Sequence, residues 1–165
     1  MTRIVLVPGC WALLPRFASS IDPVADLRAA CDKALSWLGE APEIVADGVG
    51  HEVAAALLDA RTTSSTEAGR SVLVVANGSA CRTEKAPGHL DPRAEGFDQL
   101  IGTALRTPDP GALRAVDATL AAELWADTAV LPALADLLDG ARTLDVGYDA
   151  VPYGVQYWVV RWEAR

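Results

Sequence analysis

The chain has 165 residues, 51% of them hydrophobic and 22% charged, with a formal net charge of −8. These proportions exclude an intrinsically disordered chain and fit one globular domain over residues 1–165. The acidic balance disfavours nucleic acids and anionic membranes as partners, because both carry negative charge. Apolar runs stay well short of the roughly 20 residues of a spanning helix, and the three cysteines at no metal-like spacing indicate a cytoplasmic protein with free thiols.

The first half of the chain alternates between strand-like and helical patterns. Residues 4–7 predict a short buried strand that ends at Pro8. Asp22 and Pro23 predict the capped start of a helix, since proline at the first helical position loses no hydrogen bond. Residues 42–46 predict a second strand, and residues 49–60 predict an amphipathic helix.

The second half continues the alternation. Residues 71–76 are apolar on both faces, which predicts an interior strand. Asp91 and Pro92 predict another capped helix. Further elements are predicted as one or two helices over residues 111–138, interrupted at Pro132, and strands over residues 143–148 and 155–162.

Strands that alternate with helices predict a three-layer α/β/α domain with a mostly parallel central sheet, in which the last two strands could form an antiparallel pair. On the final strand, Trp158 and Trp162 share one face, whereas Tyr157 and Val159 point the other way. Core packing is the default for such a pair, but if that strand lies at an edge, the two tryptophans would cover a helix or a partner subunit, which allows a homo-oligomer.

Binding crevices in open α/β sheets lie beyond the carboxyl ends of the strands. That rule selects three loops: one after the first strand, one after residues 71–76, and one before the last strand, although a hairpin could place the third at the opposite end. The ligand-binding candidates in these loops are Gly9, Cys10, Asn77, Ser79, Cys81, Arg82, Lys85, His89, Asp149 and Tyr153.

The middle loop has two interpretations. Arg82, Glu84 and Lys85 could form a solvated segment with weak ion pairs, which is usual for such runs. Alternatively, the loop forms a pocket wall, because loops at strand ends often carry function. In that case Arg82 and Lys85 would favour an anionic or phenolic ligand, with Arg82 the stronger contact because a guanidinium binds carboxylates bidentately.

A family resemblance rests on several segments of the second half of the chain. They are residues 72–80 (VLVVANGSA), 84–88 (EKAPG), 91–95 (DPRAE), Phe97-Asp98 and 148–155 (YDAVPYGV). Together they resemble the class III extradiol (aromatic ring-opening) dioxygenase B-subunit-like family. The likeness covers residues 71–165 well and the first 60 or so loosely, and the run from Asn77 to Gly88 is its most specific part.

The resemblance implies the family's fold and ancestry in oxygen-dependent ring cleavage. Active members hold Fe(II) with two histidines and a glutamate, and they use a further histidine as acid and base. This chain departs from that pattern, because Gly9 stands where the first iron ligand is expected and residues 79–83 contain no histidine. The expectation is therefore a degenerate site with no iron cofactor and no metal ligands.

Three functional hypotheses follow. The first is a dioxygenase-like protein that has lost iron chemistry and binds a small anionic or phenolic molecule. The second is an active enzyme with a relocated site around Cys81, Arg82, Lys85, His89 and Asp149, in which a cysteine activated by nearby cations would need a histidine partner. The third is a structural or interaction subunit. His51 and His89 are either structural residues or parts of a substitute metal site.

Overall fold

The computed structural model describes residues 1–62 and 64–165, and these residues form a five-stranded open sheet with helices on both faces. The order across the sheet is β2-β3-β1-β5-β4. The strands are β1 (Thr2–Val7), β2 (Glu43–Val45), β3 (Arg70–Val75), β4 (Arg142–Ala150) and β5 (Tyr157–Ala164). The predicted interior strand over residues 71–76 is confirmed, since β3 pairs with both β1 and β2.

The sheet is mixed, so the predicted mostly parallel arrangement is wrong. In the described residues β1 and β2 pair in parallel with β3, whereas β5 pairs antiparallel with both β1 and β4. The cause is the final hairpin, which inserts β5 next to β1 instead of adding a crossover strand at an edge. Two bulges, near Thr143 and Tyr148, interrupt the β4–β5 register.

Helices cover the two faces separately. The helices are α1 (Ala25–Leu35) and α2 (Val49–Ala60) on one face, and α3 (Ala94–Arg106), α4 (Pro110–Arg114), α5 (Ala118–Glu123) and α6 (Leu131–Leu137) on the other. Within residues 1–62 and 64–165, no helix combines the length and apolar character that crossing a bilayer requires. The prediction for residues 49–60 is confirmed at both ends.

Alternation along the central strands supplies both hydrophobic cores. Ile4 and Leu6 of β1 pack towards α3–α6, while Val5 and Val7 pack towards α1 and α2. Successive strand side chains point to opposite faces, so a strand buried on both sides is apolar throughout. This pattern explains why residues 4–7 of β1 and 72–75 of β3 are unbroken apolar runs.

The tryptophan pair lies inside the molecule. Trp158 and Trp162 are buried on the α3 side, and the Trp162 indole Nε1–H donates to the Leu105 carbonyl oxygen over 3.0 Å. β5 is an interior strand, and on it the two tryptophans pack against α3 in the core. The face shared by the two residues is as predicted, while a homo-oligomer remains a prediction.

The two helices that were predicted to begin at an Asp-Pro pair both begin later in the sequence than predicted. In each case the aspartate carboxylate accepts from the backbone N–H two residues on, Asp22 from Val24 at 3.0 Å and Asp91 from Arg93 at 2.9 Å. The helices then begin at Ala25 and Ala94. These are Asx turns that compete with a direct helix cap.

Pro132 does not interrupt a helix. It lies in the first turn of α6, and the segment from 110 to 137 is divided into three short helices in the described chain. Proline is well tolerated in a first helical turn, where its missing N–H has no partner to lose.

Candidate functional site

The three loops selected from the sequence meet at one end of the sheet. β4 runs in the same direction as β1, because both are antiparallel to β5, so the β4–β5 turn lies at the carboxyl end of β1. The Gly9 N–H donates to the Asn77 side-chain oxygen over 3.2 Å, and the Gly78 N–H donates to the Gln156 carbonyl oxygen over 2.9 Å. A hairpin therefore brings the third loop to the same end as the first two.

The middle loop is held on both sides by backbone hydrogen bonds. On one side, Asn77 and Asp127 exchange two such bonds of 3.0 and 3.1 Å, and the Ala80 N–H donates to the Leu124 carbonyl. On the other side, the Arg82 N–H donates to the Gly154 carbonyl over 3.0 Å. Residues 76–81 are buried, so the first part of this loop is a fixed extension of β3.

A buried carboxylate, Asp98 of α3, organises the underside of that loop. It is 2% exposed, and it accepts from the Ser79 N–H and the Ser79 hydroxyl, both at 2.7 Å. The Arg82 guanidinium donates to Asp98 over 3.2 Å and to the Gln156 side-chain oxygen over 3.1 Å. Burial raises the Asp98 pKa, and the hydrogen bonds from Ser79 and Arg82 oppose that rise.

This network has two consequences for the predicted site. Arg82 has a side chain only 18% exposed, and its charge is already paired with Asp98, whereas Lys85 stays exposed in the loop. The network also reaches Asp149, which accepts from the Gln156 amide over 2.9 Å and pairs with Arg106. Ser79, Arg82 and Asp149 therefore make structural contacts in a connected polar network.

Gly9, Cys10, Asn77 and Asp127 form what we call the strand-end site. A Cβ atom placed on Gly9 would lie 3.3 Å from the Asn77 side-chain oxygen and 3.4 Å from Asp127 Oδ2. Among the described residues the Asp127 carboxylate has no hydrogen-bond or ion-pair partner, although it is more than half buried. Burial, followed by the charge of Asp47, raises the Asp127 pKa to about 6.

Cys10 continues this site towards the last hairpin. Its thiol is buried beside Tyr157, and burial together with Cys10 raises the pKa of the Tyr157 hydroxyl. Tyr148, from the neighbouring strand, is also part of this group, and its pKa is raised by burial and by the charge of Asp26. The phenols thus remain neutral hydrogen-bonding groups near physiological pH.

Cys81 and His89 are not arranged as a nucleophile and its base. The buried Cys81 thiol faces the Leu124 carbonyl oxygen at 3.4 Å, and burial raises its pKa, which favours the unreactive protonated form. The exposed His89 ring places Nδ1 at 3.3 Å from the Glu84 carbonyl oxygen. Within the described residues, no hydrogen bond joins these two side chains.

The donor groups do not fit the ferrous ion that the family resemblance implies. Glycine offers no side-chain ligand at position 9. The Cβ atom of a histidine there would already lie 3.3 Å from the Asn77 side-chain oxygen and 3.4 Å from Asp127 Oδ2. His51 is exposed at the start of α2. Residues 1–62 and 64–165 contain no group of three or more His, Cys, Asp or Glu side chains that could hold a metal.

Three exposed residues in the described chain have left-handed backbones. His89, Trp125 and Tyr153 have φ values of 60°, 57° and 55°. Trp125 follows α5, where the Ala126 N–H donates to the Ala121 carbonyl and the Trp125 N–H donates to the Ala122 carbonyl. These two bonds define a Schellman motif, and Trp125 occupies the position that usually holds glycine. The Tyr153 hydroxyl donates to the Pro23 carbonyl oxygen over 3.1 Å.

Sequence reasoning missed Asp98, Asp127, Gln156 and Trp125. A signal existed for Asp98, since it lies on the helical face between Ala94 and Ile101, where a charged residue indicates a buried partner. The sequence contains no such signal for Asp127, because the position of Asp127 depends on a β-bridge to Asn77, which lies in a distant part of the chain.

Comparison with models of known protein families gives no match to this chain. Comparison with curated proteins likewise gives no match.

Proposed function

We propose that this chain is a diverged relative of the extradiol ring-opening dioxygenases that binds a small phenolic molecule at the strand-end site and does not open rings with ferrous iron. The observation that carries the proposal is the half-buried Asp127 carboxylate, which has no partner in the described residues and lies beside Gly9. A partly desolvated acceptor gains from any ligand that supplies a donor.

The surroundings favour a phenolic ligand over an anionic one. Arg82, the cation expected to receive an anion, is paired with Asp98 beneath the loop. Asp47 and Asp127 both raise the cost of bringing negative charge to this end of the sheet. A neutral hydroxyl donates a hydrogen bond to a carboxylate without that cost, and such a bond contributes about 1.5–3 kcal/mol.

Thermal-shift measurements with phenol and catechol as probes, and benzoate as the anionic counterpart, test the proposal. We expect the two phenols to raise the melting temperature of the wild type at pH 7.5 and benzoate to have little effect. Asp127→Asn should weaken phenol binding roughly tenfold to a hundredfold. Asp136→Asn, an exposed aspartate that pairs with Arg114 on α4, is the matched control and should bind like the wild type.

The pH dependence provides a second readout. Protonated Asp127 is a poorer acceptor, so phenol binding should weaken as the pH falls through about 6. Equal phenol binding by the wild type and Asp127→Asn, or stronger binding of benzoate than of phenol, would contradict the proposal.

A further inference from the structure

A groove with an apolar floor runs beside α3, away from the strand-end site. Its volume is about 330 Å³ where α3 faces α4 and α5, and the main lining residues are Phe97, Leu100, Ile101, Ala112, Val116 and Leu120. Past Leu100 and Ala112 it continues into a more open cleft of about 570 Å³ that reaches Asp109. The two cavities form one continuous surface because they share these two residues.

Leu100 stands at the centre of this surface and is 74% exposed. An exposed leucine alone is ordinary in a globular protein. Here it is flanked by a cavity on each side and by partly open Val116 and Leu120. A continuous apolar surface with a recessed floor is typical of a protein-binding groove.

Acidic residues line both parts of the groove, Asp117 the smaller cavity and Asp109 the open cleft. Asp109 and Asp117 cap α4 and α5, accepting from the Ala112 N–H at 3.0 Å and the Thr119 N–H at 2.9 Å. Both side chains are exposed, and in the described part of the chain neither forms an ion pair. Arg114, which lies between them in the sequence, is already paired with Asp136.

We propose that this groove binds an amphipathic helix of a partner protein, with aliphatic side chains on one face and lysine or arginine at both ends. A helix fits because the groove itself lies between helices, whose ridges accept another helix. Residues 97–107 of the groove wall span about 15 Å, which matches roughly three turns of the partner. The basic ends complement Asp109 and Asp117, and a net charge of −8 disfavours a second copy of the chain.

Fluorescence anisotropy with a labelled peptide of about 14 residues tests this proposal. The probe has leucines at i, i+3, i+4 and i+7 and lysines near both ends, and a scrambled peptide of equal composition lacks the apolar face. We expect micromolar binding of the patterned peptide at low salt and at least ~tenfold weaker binding of the scrambled one. Leu100→Glu should weaken binding of the patterned peptide ~tenfold or more.

Two further variants distinguish binding in the groove from nonspecific attraction of the basic peptide to an acidic protein. Leu144→Glu changes another exposed leucine, on β4, and should leave binding unchanged. Asp109→Asn combined with Asp117→Asn keeps both helix caps, because asparagine caps as well as aspartate, and should weaken binding and flatten its salt dependence.

Equal binding of both peptides, or no effect of Leu100→Glu, would overturn the proposal. A wild-type dimer in analytical ultracentrifugation that Leu100→Glu converts to monomer would also overturn it, because a second copy would then occupy the groove.

Discussion

Trp125 places a bulky side chain where the backbone favours glycine. Left-handed φ values cost an L-residue about 1 kcal/mol or more, and this indole is 61% exposed, so it recovers little of that cost by burial. Trp125→Gly should therefore raise the free energy of unfolding by about 0.5–1 kcal/mol, measured by urea denaturation.

Trp125→Ala is the control for lost side-chain contacts. It removes the indole, which lies against Gly88, but keeps the left-handed cost. The alanine variant should be no more stable than the wild type. If glycine and alanine give the same stability, the backbone argument at this position is wrong.

Asp127 should make stability depend on pH. Its pKa is about 6 in the folded chain, against an ordinary value of 3.8. The folded state therefore holds the proton more tightly, and this residue's contribution to stability falls as the pH rises from about 4 to about 6. Asparagine stays neutral at every pH in this range. The Asp127→Asn variant should therefore be more stable than the wild type by about 1–3 kcal/mol at pH 7.5 and differ little from it at pH 4.

Urea denaturation of both proteins across this pH range measures the difference directly. Subtracting the two curves cancels the other titrating groups. A difference that stays constant from pH 4 to 7.5 would show that Asp127 titrates normally.

The Arg82–Asp98 ion pair beneath the middle loop should dominate the stability of that loop. Replacing Arg82 by methionine leaves Asp98 buried without a cation, and breaking a buried pair in this way costs about 3–5 kcal/mol. The exposed Arg93 pairs with Asp91 and Glu123, so Arg93→Met should cost less than about 1 kcal/mol. Chemical denaturation of the two variants makes the comparison.

A double-mutant cycle isolates the Arg82–Asp98 interaction. Asp98→Asn keeps the shape and removes the charge, so the loss caused by Arg82→Met should be much smaller in that background. Additive losses would mean that Arg82 acts through packing rather than through Asp98.

Local patterns predicted the elements whose apolar pattern in the sequence is unambiguous. The helix over residues 49–60 and the interior strand β3 follow from apolar periodicity and from an apolar run buried on both faces. The position of β5 was missed because strand pairing is decided by contacts between distant residues, here β1 and the end of the sequence.

The same distinction applies to the candidate site. The rule that binding crevices lie at strand ends selected Gly9, Cys10 and Asn77, and the structure brings these residues together with Asp127. Arg82 was predicted to face a ligand, but it lies against Asp98 because the loop folds back over α3. Sequence spacing gives the end of the sheet at which a side chain lies, and it does not give the direction in which that side chain points.

For the molecule as a whole, we predict that it will not bind iron or zinc stoichiometrically. Within the described residues no three His, Cys, Asp or Glu side chains are grouped so that they could hold a metal, and a mononuclear site normally needs three or four protein ligands. Elemental analysis after anaerobic incubation with Fe(II) or Zn(II) and gel filtration should give well under one metal per chain. One equivalent that is lost in His51→Ala or His89→Ala would refute this.

The place of β5 also sets the order in which the protein can fold during synthesis. β1 is synthesised well before β5, which is one of its two neighbours in the sheet, with Thr2 pairing with Ala164. Until β5 arrives, the apolar residues 4–7 present an open edge that can pair with another chain. Closing so long a loop also slows folding, so nascent chains of this protein should depend on chaperones to protect this edge until β5 pairs with it.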